Sequence, residues 1–459
     1  ESREKKIPQL SDLRESGCLT GDSLIARADT GELAPLISLV GRNNIPVYSL
    51  DDNWKMVPTM AKKVFSSGVK KVFRLKLSSG REIRASANHP FKTLFDWKRL
   101  DNLQTGDRIA VPRQISPPKT NQIISDSKLI LLAHLIGDGC ILTHQPIHYT
   151  SGSAQNLTAV SDAVKTEFKI TPKLVKQKNW HHLYLTNNGN NPLIDWLNKI
   201  GVYNKRSYEK FLPGFVFSLT NEKIALFLSH LWATDGNLSK TKNGGAAIYY
   251  ASTSEKLARQ VQTLLLRFEI LARIKKTHKK GYRDGYNVLV YGKIDQQKFL
   301  QQIGVYGREK DGEEILGLLE KIKENPNVDV IPKEIWTEIE KLRKEKGITT
   351  REFHKILGWA YSGTQRQNNG LSRNRLKHIL TVVNNQLLKN LAESEVFWDE
   401  VLEIVPEGEE EVYDIEVGRE HNFVANNIIV HNSIEQDADV VMFLTRVDDD
   451  LAPKDTGKI

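Results

Sequence analysis

The chain has 459 residues, too many for one typical domain, and this length predicts three or more structural units. Hydrophobic residues make up 39% of the chain, no stretch approaches the roughly 20 apolar residues of a membrane-spanning helix, and two cysteines are too few for a disulfide framework. The net charge of +9 is small for this length and does not by itself indicate a nucleic-acid partner. The first residues lack the apolar run of a signal peptide, so we expect a cytoplasmic protein without membrane contact.

The first predicted unit, residues 18–113, contains short β-type runs separated by Gly, Asn and Asp. A Ser-Ser-Gly sequence between residues 72–77 and 81–85 predicts a β-hairpin. Residues 114–128 are polar and contain two prolines, which is typical of a linker.

Residues 114–310 mix helical and strand patterns. Two apolar helical stretches, 129–136 and 224–232, each lead into an Asp-Gly pair. Residues 311–395 are predicted to be mostly helical. Strand patterns return at residues 412–417, 422–425 and 428–430, so the unit at 396–432 completes a β module that is split by a long insertion.

Within the helical region, Thr349 or Thr350 is suited to cap a helix that Gly358 would end. A basic cluster follows, with Arg366, Arg373, Arg375 and Lys377. This region resembles a helix-turn-helix accessory DNA-binding module, and the resemblance implies DNA contacts from Arg366 and Arg373. A pair of antiparallel helices without DNA contact is the alternative.

The two ends of the split β module carry residues suited to peptide-bond chemistry. The Cys18 thiol follows Gly17 and can attack the preceding carbonyl to give a thioester, unobstructed by any side chain on the glycine. At the other end, the Asn432 amide can attack its own backbone carbonyl and cleave the chain, with His431 able to transfer a proton. Ser433 then offers a hydroxyl nucleophile.

Several sequence strings, taken in this order, resemble the splicing blocks of inteins: Cys18-Leu19-Thr20-Gly21-Asp22, Ser86-Ala87-Asn88-His89-Pro90, Val412-Tyr413-Asp414-Ile415-Glu416-Val417, His421-Asn422-Phe423-Val424-Ala425-Asn426 and Ile428-Ile429-Val430-His431-Asn432-Ser433. The resemblance implies the all-β, horseshoe-shaped Hint fold, with both splice junctions at one site. It also implies autocatalytic excision of residues 18–432, joining of Gly17 to Ser433, and no cofactor for splicing.

The resemblance also implies the role of each matching residue. Cys18 performs the N-to-S acyl shift, and His89 strains or protonates the Gly17–Cys18 peptide. Ser86 stands where inteins often have threonine, which keeps the hydroxyl. Asp414 orients the nucleophiles, and Ser433 takes the acyl group. Asn432 cyclises with support from two histidines, His421 and His431.

The flanking segments, residues 1–17 and 433–459, read together resemble part of the ATPase core of replicative DNA helicases of the DnaB type. The resemblance implies that they are the exteins, the host segments joined in cis by splicing. The helicase's phosphate-binding loop is absent from the chain, so we expect no helicase activity in it.

The two Asp-Gly helices resemble the paired motifs of LAGLIDADG homing endonucleases. Small residues recur at a spacing of four in both helices, at Ala133 and Gly137 and at Ser229 and Ala233, which allows close helix contact. Close contact would bring Asp138 and Asp235 together, and two adjacent carboxylates favour a divalent cation between them. The resemblance implies an α/β endonuclease in which both aspartates bind Mg²⁺ for phosphodiester hydrolysis.

The expected partner of this second unit is double-stranded DNA, in the form of the host helicase gene without the intein insertion. Lys210 matches a family segment with an active-site lysine and is a candidate for stabilising phosphate charge. A basic segment with a tyrosine is a candidate for DNA phosphate contacts through Lys279, Lys280 and Arg283. A solvated hairpin tip is an equal alternative for this segment.

Two other functions fit parts of the sequence. A Hint-type autoprocessing domain that only cleaves would need neither Asn432 nor Ser433, although both are present. A DNA-binding or helicase-associated module without chemistry would not depend on Cys18. Mutation of Cys18 separates this last alternative from splicing.

Overall fold

The structure is a computed structural model that describes residues 17–119, 122–187, 189–242, 244–325 and 327–432. The predicted nucleophile Ser433 and nearly all of both flanking segments lie outside these residues. No helix in the described part of the chain has the length and apolar character needed to cross a membrane.

The N-terminal part of the β module consists of short strands and one very long one. The strands are β1 (Leu19–Thr20), β2 (Leu24–Ala26), β3 (Leu33–Pro35), β4 (Asn43–Leu50), β5 (Met56–Leu77), β6 (Glu82–Ser86), β7 (Pro90–Lys92), β8 (Trp97–Arg99) and β9 (Arg108–Pro112). The predicted hairpin is confirmed as β5–β6, in which Leu75 pairs with Ile83. Its turn needs Gly80, whose φ of +82° favours glycine.

The insertion begins with two helix–sheet units that repeat the same order of elements. The first contains α1 (Asp126–Asp138), β10 (Gly139–Cys140), β11 (His148–Ser151), α2 (Ala154–Phe168), β12 (Lys173–Lys176), β13 (His181–Tyr184) and α3 (Pro192–Lys199). The second contains α4 (Asn221–Asp235), β14 (Gly236–Lys240), β15 (Ala246–Ser252), α5 (Glu255–Leu265), β16 (Ala272–Thr277), β17 (Gly285–Val290), α6 (Lys293–Gln302) and α7 (Glu309–Lys321). Each unit has a four-stranded sheet, so the duplication suggested by the two Asp-Gly helices is present.

Helix α7 requires a correction to the predicted domain boundary. The predicted end of the α/β unit, residue 310, falls inside α7. The buried Ile315 and Leu319 of this helix belong to the same hydrophobic core as α1 and α4. The α/β unit therefore extends through α7, because this helix buries its apolar face against that core.

The predicted helical region contains β18 (Val330–Ile331), α8 (Ile335–Glu345), α9 (Thr350–Ile356), β19 (Leu371–Ser372), α10 (Arg373–Leu380) and α11 (Gln386–Ala392). Thr349 caps α9 and exchanges hydrogen bonds with Glu352, and Gly358 follows the helix with a φ of +65°. These helices share one hydrophobic core with the β module: Trp336 and Leu388 lie in the same cluster as Trp398 and Ile429.

The chain's C-terminal strands complete the β module. They are β20 (Val396–Val417), β21 (Asn422–Ala425) and β22 (Ile428–His431). One six-stranded sheet has the order β4-β5-β6-β1-β20-β9, and the other has the order β3-β2-β21-β22-β7-β8. C-terminal strands thus lie between N-terminal strands in both sheets, and neither part can complete the sheets alone.

The α/β unit contacts the β module at the β5–β6 turn. From α5, Arg259 Nη1 donates to the Gly80 carbonyl at 2.9 Å and Gln262 Nε2 donates to the Ser79 carbonyl at 3.0 Å. Asn427, in the β21–β22 turn, donates to Thr263 Oγ1 at 2.7 Å. The two units are therefore joined by buried hydrogen bonds as well as by the linker.

A buried ion pair between Arg81 and Asp399 lies next to the β5–β6 turn. The side chains of Arg81 and Asp399 are 1% and 0% exposed, with Nη1 and Oδ2 3.8 Å apart. Asp399 accepts hydrogen bonds from the hydroxyls of Ser78 and Ser79, and Ser79 in turn accepts one from Arg81 Nη1 at 2.7 Å. Burial lowers the pKa of Arg81, while the charge of Asp399 opposes this shift.

Replacing Asp399 with alanine should lower the free energy of unfolding by about 3–5 kcal/mol, because it leaves the Arg81 guanidinium buried without its counter-charge. Urea unfolding of a full chain that also carries Cys18→Ala, followed by the fluorescence of the adjacent Trp398, would measure the loss. Asp101→Ala removes a partly exposed surface pair with Arg99 and should cost at most about 1 kcal/mol. Equal losses of unfolding free energy in the two variants would contradict a stabilising role of the buried Arg81–Asp399 pair.

Candidate functional site

Cys18 is held by its backbone beside Ser86. Its N–H donates to Ser86 Oγ at 2.9 Å, and its carbonyl accepts from the Ser86 N–H at 2.9 Å. The Ser86 hydroxyl donates to Asn88 Oδ1 at 2.7 Å, which leaves its oxygen oriented toward the Cys18 N–H. Ser86 therefore holds the nitrogen of the Gly17–Cys18 peptide, the atom at which the predicted splicing reaction would break the bond.

His89 lies against Gly17. A methyl group added to Gly17 would lie 2.6 Å from His89 Cα and 3.1 Å from Nδ1, so only glycine fits here. Burial lowers the pKa of His89 to about 3; the Gly17 backbone opposes the shift, and the charges of His431 and Lys70 add to it. Neither ring nitrogen reaches hydrogen-bond geometry with a described residue, although the Gly17 backbone is near enough to affect the pKa. His89 is therefore a neutral imidazole in this state.

Asn432 is fixed at the end of β22. Its N–H donates to the His421 carbonyl at 3.1 Å, and its Nδ2 donates to the Val417 carbonyl at 2.9 Å. The residue is 2% exposed, and its Oδ1 has no hydrogen-bond partner within the described ranges. The amide that would cyclise is thus ordered and shielded from water.

Two histidines flank Asn432. The rings of His421 and His431 are stacked with centroids 6.5 Å apart, and Trp97 packs edge-on against His431 at 4.7 Å. His431 Nδ1 lies within hydrogen-bond distance of the Asn432 carbonyl oxygen. Burial lowers the pKa of His431, and the Asn432 carbonyl opposes this shift. A proton on Nδ1 would polarise the Asn432 carbonyl.

Strand register brings the two junctions to one place. Val430 pairs with Phe91, and extending this antiparallel register by two residues puts Asn432 opposite His89, which contacts Gly17. In the same way, Leu19 pairs with Tyr413, and one further step puts Cys18 opposite Asp414. Asp414 is 2% exposed, and its Oδ1 accepts from the Ile415 N–H at 2.8 Å. The predicted splicing residues within the described ranges therefore converge on one buried site.

A second site lies where α1 and α4 end. The helices meet closely, because a methyl group on Gly137 would lie 2.1 Å from Thr234 Oγ1. The pKa of Asp138 is raised to about 7, first by burial and then by the charge of Asp235, with Lys210 opposing the shift. Burial also raises the pKa of Asp235. The predicted pair of carboxylates is thus brought together in a partly desolvated setting.

Lys210 lies at the same helix ends, but its ammonium contacts backbone. Nζ donates to the carbonyls of Leu135, Gly137 and Gly139 at 3.0, 2.9 and 2.9 Å, and the residue is 6% exposed. Burial lowers its pKa to about 8, against the opposing charges of the two aspartates. Two of these carbonyls end α1 and the third begins β10, so Lys210 fixes the backbone on both sides of Asp138.

The candidate DNA-contact residues differ in exposure. Lys279, Lys280 and Arg283 are exposed on the β16–β17 hairpin, where Arg283 covers the Tyr208 ring at 3.8 Å. Arg366 is half-buried and lies 5.3 Å from the Trp359 ring.

Arg373 departs from the sequence-based expectation. It is 8% exposed, and its guanidinium is held by Asp329 and by backbone carbonyls of Leu391, Ala392, Ser394 and Val396. Contact between Arg373 and DNA would require these hydrogen bonds to break. The side chain therefore holds together parts of the fold and is not available to DNA. Sequence alone missed this, because its partners come from distant positions.

Sequence reasoning also missed a buried chain of polar rings between α1 and α4. The Tyr149 hydroxyl lies 2.9 Å from His134 Nδ1, and His134 Nε2 lies 3.0 Å from His230 Nδ1. Burial lowers the pKa of His134 to about 3 and that of His230 to about 4. The repeated His-Leu pair in the two Asp-Gly helices was the available signal for this contact. No cluster of three or more His, Cys, Asp or Glu side chains suited to a metal occurs among the described residues.

Comparison with known proteins gives a family match over most of the chain. The family model of the intein splicing domain matches residues 27–432. The replicative DNA helicase DnaB of Synechocystis sp. is 42% identical over 461 residues, covering 97% of this chain and 53% of that protein. DnaB of Rhodothermus marinus is 43% identical over 457 residues, covering 96% of this chain and 48% of that protein. The chain thus spans about half the length of these relatives.

Solved structures give weaker similarities. A DnaB intein from Synechocystis sp. is 38% identical over 21% of this chain and 70% of that chain, with a TM-score of 0.21. The structure of I-DmoI in complex with DNA and Mn is 14% identical over 39% of this chain and 96% of that chain, with a TM-score of 0.28. Both TM-scores are too low to assign a fold or a function.

Proposed function

Because this chain belongs to the intein splicing-domain family, we propose that it excises its own residues 18–432 and joins Gly17 to Ser433. The observation that carries the proposal is the convergence of both junctions on His89: Gly17 contacts it directly, and strand register puts Asn432 opposite it. Proximity of this kind turns a reaction between distant chain ends into an intramolecular one.

The first step transfers the Gly17 acyl group to sulfur. The Cys18 sulfur attacks the Gly17 carbonyl carbon, the carbon–nitrogen bond breaks, and the nitrogen takes up the proton that the thiol gave up. The hydrogen bond from the Cys18 N–H to Ser86 Oγ orients this nitrogen. His89, a neutral imidazole in contact with Gly17, would transfer this proton from the sulfur to the nitrogen.

The later steps release the C-terminal segment. The Ser433 oxygen takes the acyl group from the Cys18 sulfur, which leaves as a thiol with the hydroxyl proton. The Asn432 Nδ2 then attacks the Asn432 carbonyl carbon and forms a succinimide, while the Ser433 nitrogen leaves as an amine that takes up the Nδ2 proton. His431 Nδ1 next to that carbonyl supports the attack by stabilising charge on its oxygen. The acyl group finally moves from oxygen to nitrogen, giving the Gly17–Ser433 peptide.

A second activity, site-specific cleavage of double-stranded DNA, is supported by the paired carboxylates at the ends of α1 and α4. Asp138 and Asp235 fit a divalent cation such as Mg²⁺, because an ion between them would offset both the burial and the charge of Asp235, which raise the pKa of Asp138. When bound, the ion would stabilise charge on the attacking and leaving phosphate oxygens. Lys210 holds the end of α1 in place for this pair.

The basic residues on the insertion complete the proposal for DNA. Lys279, Lys280 and Arg283 provide phosphate contacts from one hairpin, and Arg366 provides another from the helical region. By analogy with the matched helicases, the flanking segments 1–17 and 433–459 are proposed to be exteins of a DnaB-type helicase. The DNA target would then be the uninterrupted helicase gene.

Mass spectrometry of the expressed full chain should detect two products after incubation under reducing conditions. One is the excised segment 18–432 with a C-terminal succinimide or its hydrolysis product. The other is the peptide in which residue 17 is joined to residue 433. A Cys18→Ala, Asn432→Ala double variant should stay intact. A wild-type chain that stays equally intact after hours would contradict splicing.

A further inference from the structure

The sulfur of Cys18 has both an apolar and a cationic neighbour. Cys18 is fully buried and forms a small hydrophobic cluster with Val72 and Val412. This apolar cluster offers the sulfur no counter-charge, although the thiolate is a better nucleophile than the thiol. On the same sulfur, however, Lys70 Nζ lies 3.3 Å away.

The strand geometry fixes this contact. Lys70 and Val72 are two residues apart on β5, so their side chains point to the same face, and Val72 packs against Cys18. Lys71 points to the opposite face and is exposed. The ammonium also acts on the rest of the site, since its charge contributes to the lowered pKa of His89.

Among the described residues, the carboxylate opposite Lys70 is bound by a different cation. Glu410 is the register partner of Lys70 on β20, and its carboxylate accepts two hydrogen bonds from Arg84 at 2.9 and 2.8 Å. Arg84 therefore neutralises the carboxylate that is nearest in register. A lysine ammonium is a compact charge that pairs well with an anionic sulfur.

We propose that Lys70 is a further catalytic residue of the first splicing step, pairing with the Cys18 sulfur as it becomes a thiolate. The ammonium is not consumed: sulfur forms its bond to the Gly17 carbonyl carbon, the carbon–nitrogen bond breaks, and the thiol proton ends on the Cys18 nitrogen. The catalytic role of Lys70 rests on the proposed splicing reaction. The pairing of Lys70 with the Cys18 sulfur can be tested separately, through the reactivity of the thiol.

The test uses the full chain with Cys140→Ser and Asn432→Ala, so that one thiol remains and C-terminal cleavage is blocked. Two rates are followed against pH: alkylation of Cys18 by iodoacetamide, and cleavage at residue 17 by dithiothreitol. Lys70→Met should slow both about 10-fold or more at neutral pH and move both profiles to higher pH. Lys70→Arg should restore most of each rate, and Lys71→Met should match the parent chain.

Identical pH profiles for Lys70→Met and Lys71→Met would overturn the inference. Loss of both rates in Lys70→Met and Lys70→Arg alike, with a lowered melting temperature, would also overturn it, because it assigns Lys70 to folding. If the parent chain shows no cleavage at residue 17 but its alkylation still depends on Lys70, the pairing stands and the proposed splicing fails.

Discussion

Replacing Cys18 with alanine should abolish the joined product and cleavage at residue 17. The expected loss is more than about 10³-fold, since removal of a nucleophile leaves only the background reaction. Cleavage after Asn432 should persist, because the contacts of Asn432 with His421, Val417 and His431 do not involve Cys18. Electrophoresis and mass spectrometry would therefore show segment 1–432 and the released C-terminal segment.

The matched control is the other cysteine. Cys140 is half-exposed on β10, where its thiol lies 3.1 Å from Gln145 Oε1, and Cys140→Ala should splice as the wild type does. Normal splicing in the Cys18→Ala chain would contradict the proposed nucleophile. Loss of Asn432 cleavage as well would mean that the two junctions are coupled more tightly than the contacts indicate.

Replacing Asp138 with asparagine should abolish DNA cleavage and leave splicing unchanged. We expect a fall of about 10³-fold or more in cleavage rate on DNA spanning the uninterrupted helicase site, with Mg²⁺ present, because one of the two carboxylates that fit the ion is lost. Asp126→Asn is a matched control at the other end of α1, where the side chain forms an exposed pair with Lys223. It should cleave normally.

The same variant has a readout that does not depend on cleavage. The pKa of Asp138 is raised from 3.8 to about 7, so between these values the folded protein holds a proton that the unfolded chain releases. Stability from this group is therefore lost as pH rises through that window. At pH 8 without metal, Asp138→Asn should raise the melting temperature by about 1 °C for each kcal/mol gained, because asparagine avoids the cost of a buried charge next to Asp235. Mg²⁺ should stabilise the wild type and have little effect on the variant.

Two outcomes would count against the paired-carboxylate site. One is DNA cleavage that survives in both Asp138→Asn and Asp235→Asn. The other is an equal effect of Mg²⁺ on the melting temperatures of the wild type and these variants. Loss of splicing in Asp138→Asn would instead indicate that the α/β unit acts on the β module, which the hydrogen bonds of Arg259 and Gln262 make a specific alternative.

Local patterns predicted the elements that local chemistry determines. The β5–β6 hairpin follows from Ser-Ser-Gly between alternating strands, and the ends of α1 and α4 follow from Asp-Gly after apolar stretches. Thr349 and Gly358 bound α9 through capping and a positive φ. These signals lie within a few residues of each other, so one sequence is enough to read them.

The features that were missed depend on partners far apart in the chain. Arg81 gave no sign that it would be buried with Asp399, and Lys70 gave none that it would reach Cys18. Strands β5 and β20 pair along most of their 22 residues each, which no turn signal announces. The boundary at residue 310 was wrong because the helical pattern of α7 does not reveal which core it packs against.

The pairing of β9 with β20 bears on how such a gene could gain or lose its insertion. Pro112 and Val396 face each other in that ladder, and the Arg113 N–H donates to the Glu395 carbonyl at 2.8 Å. The segment between Arg113 and Glu395 therefore begins and ends at neighbouring positions of the β module. A short turn could connect β9 directly to β20 in its place. A shortened descendant would nevertheless lose the apolar partners that the helical region contributes to the cluster of Trp398 and Ile429, and polar substitutions there would avoid an exposed apolar patch.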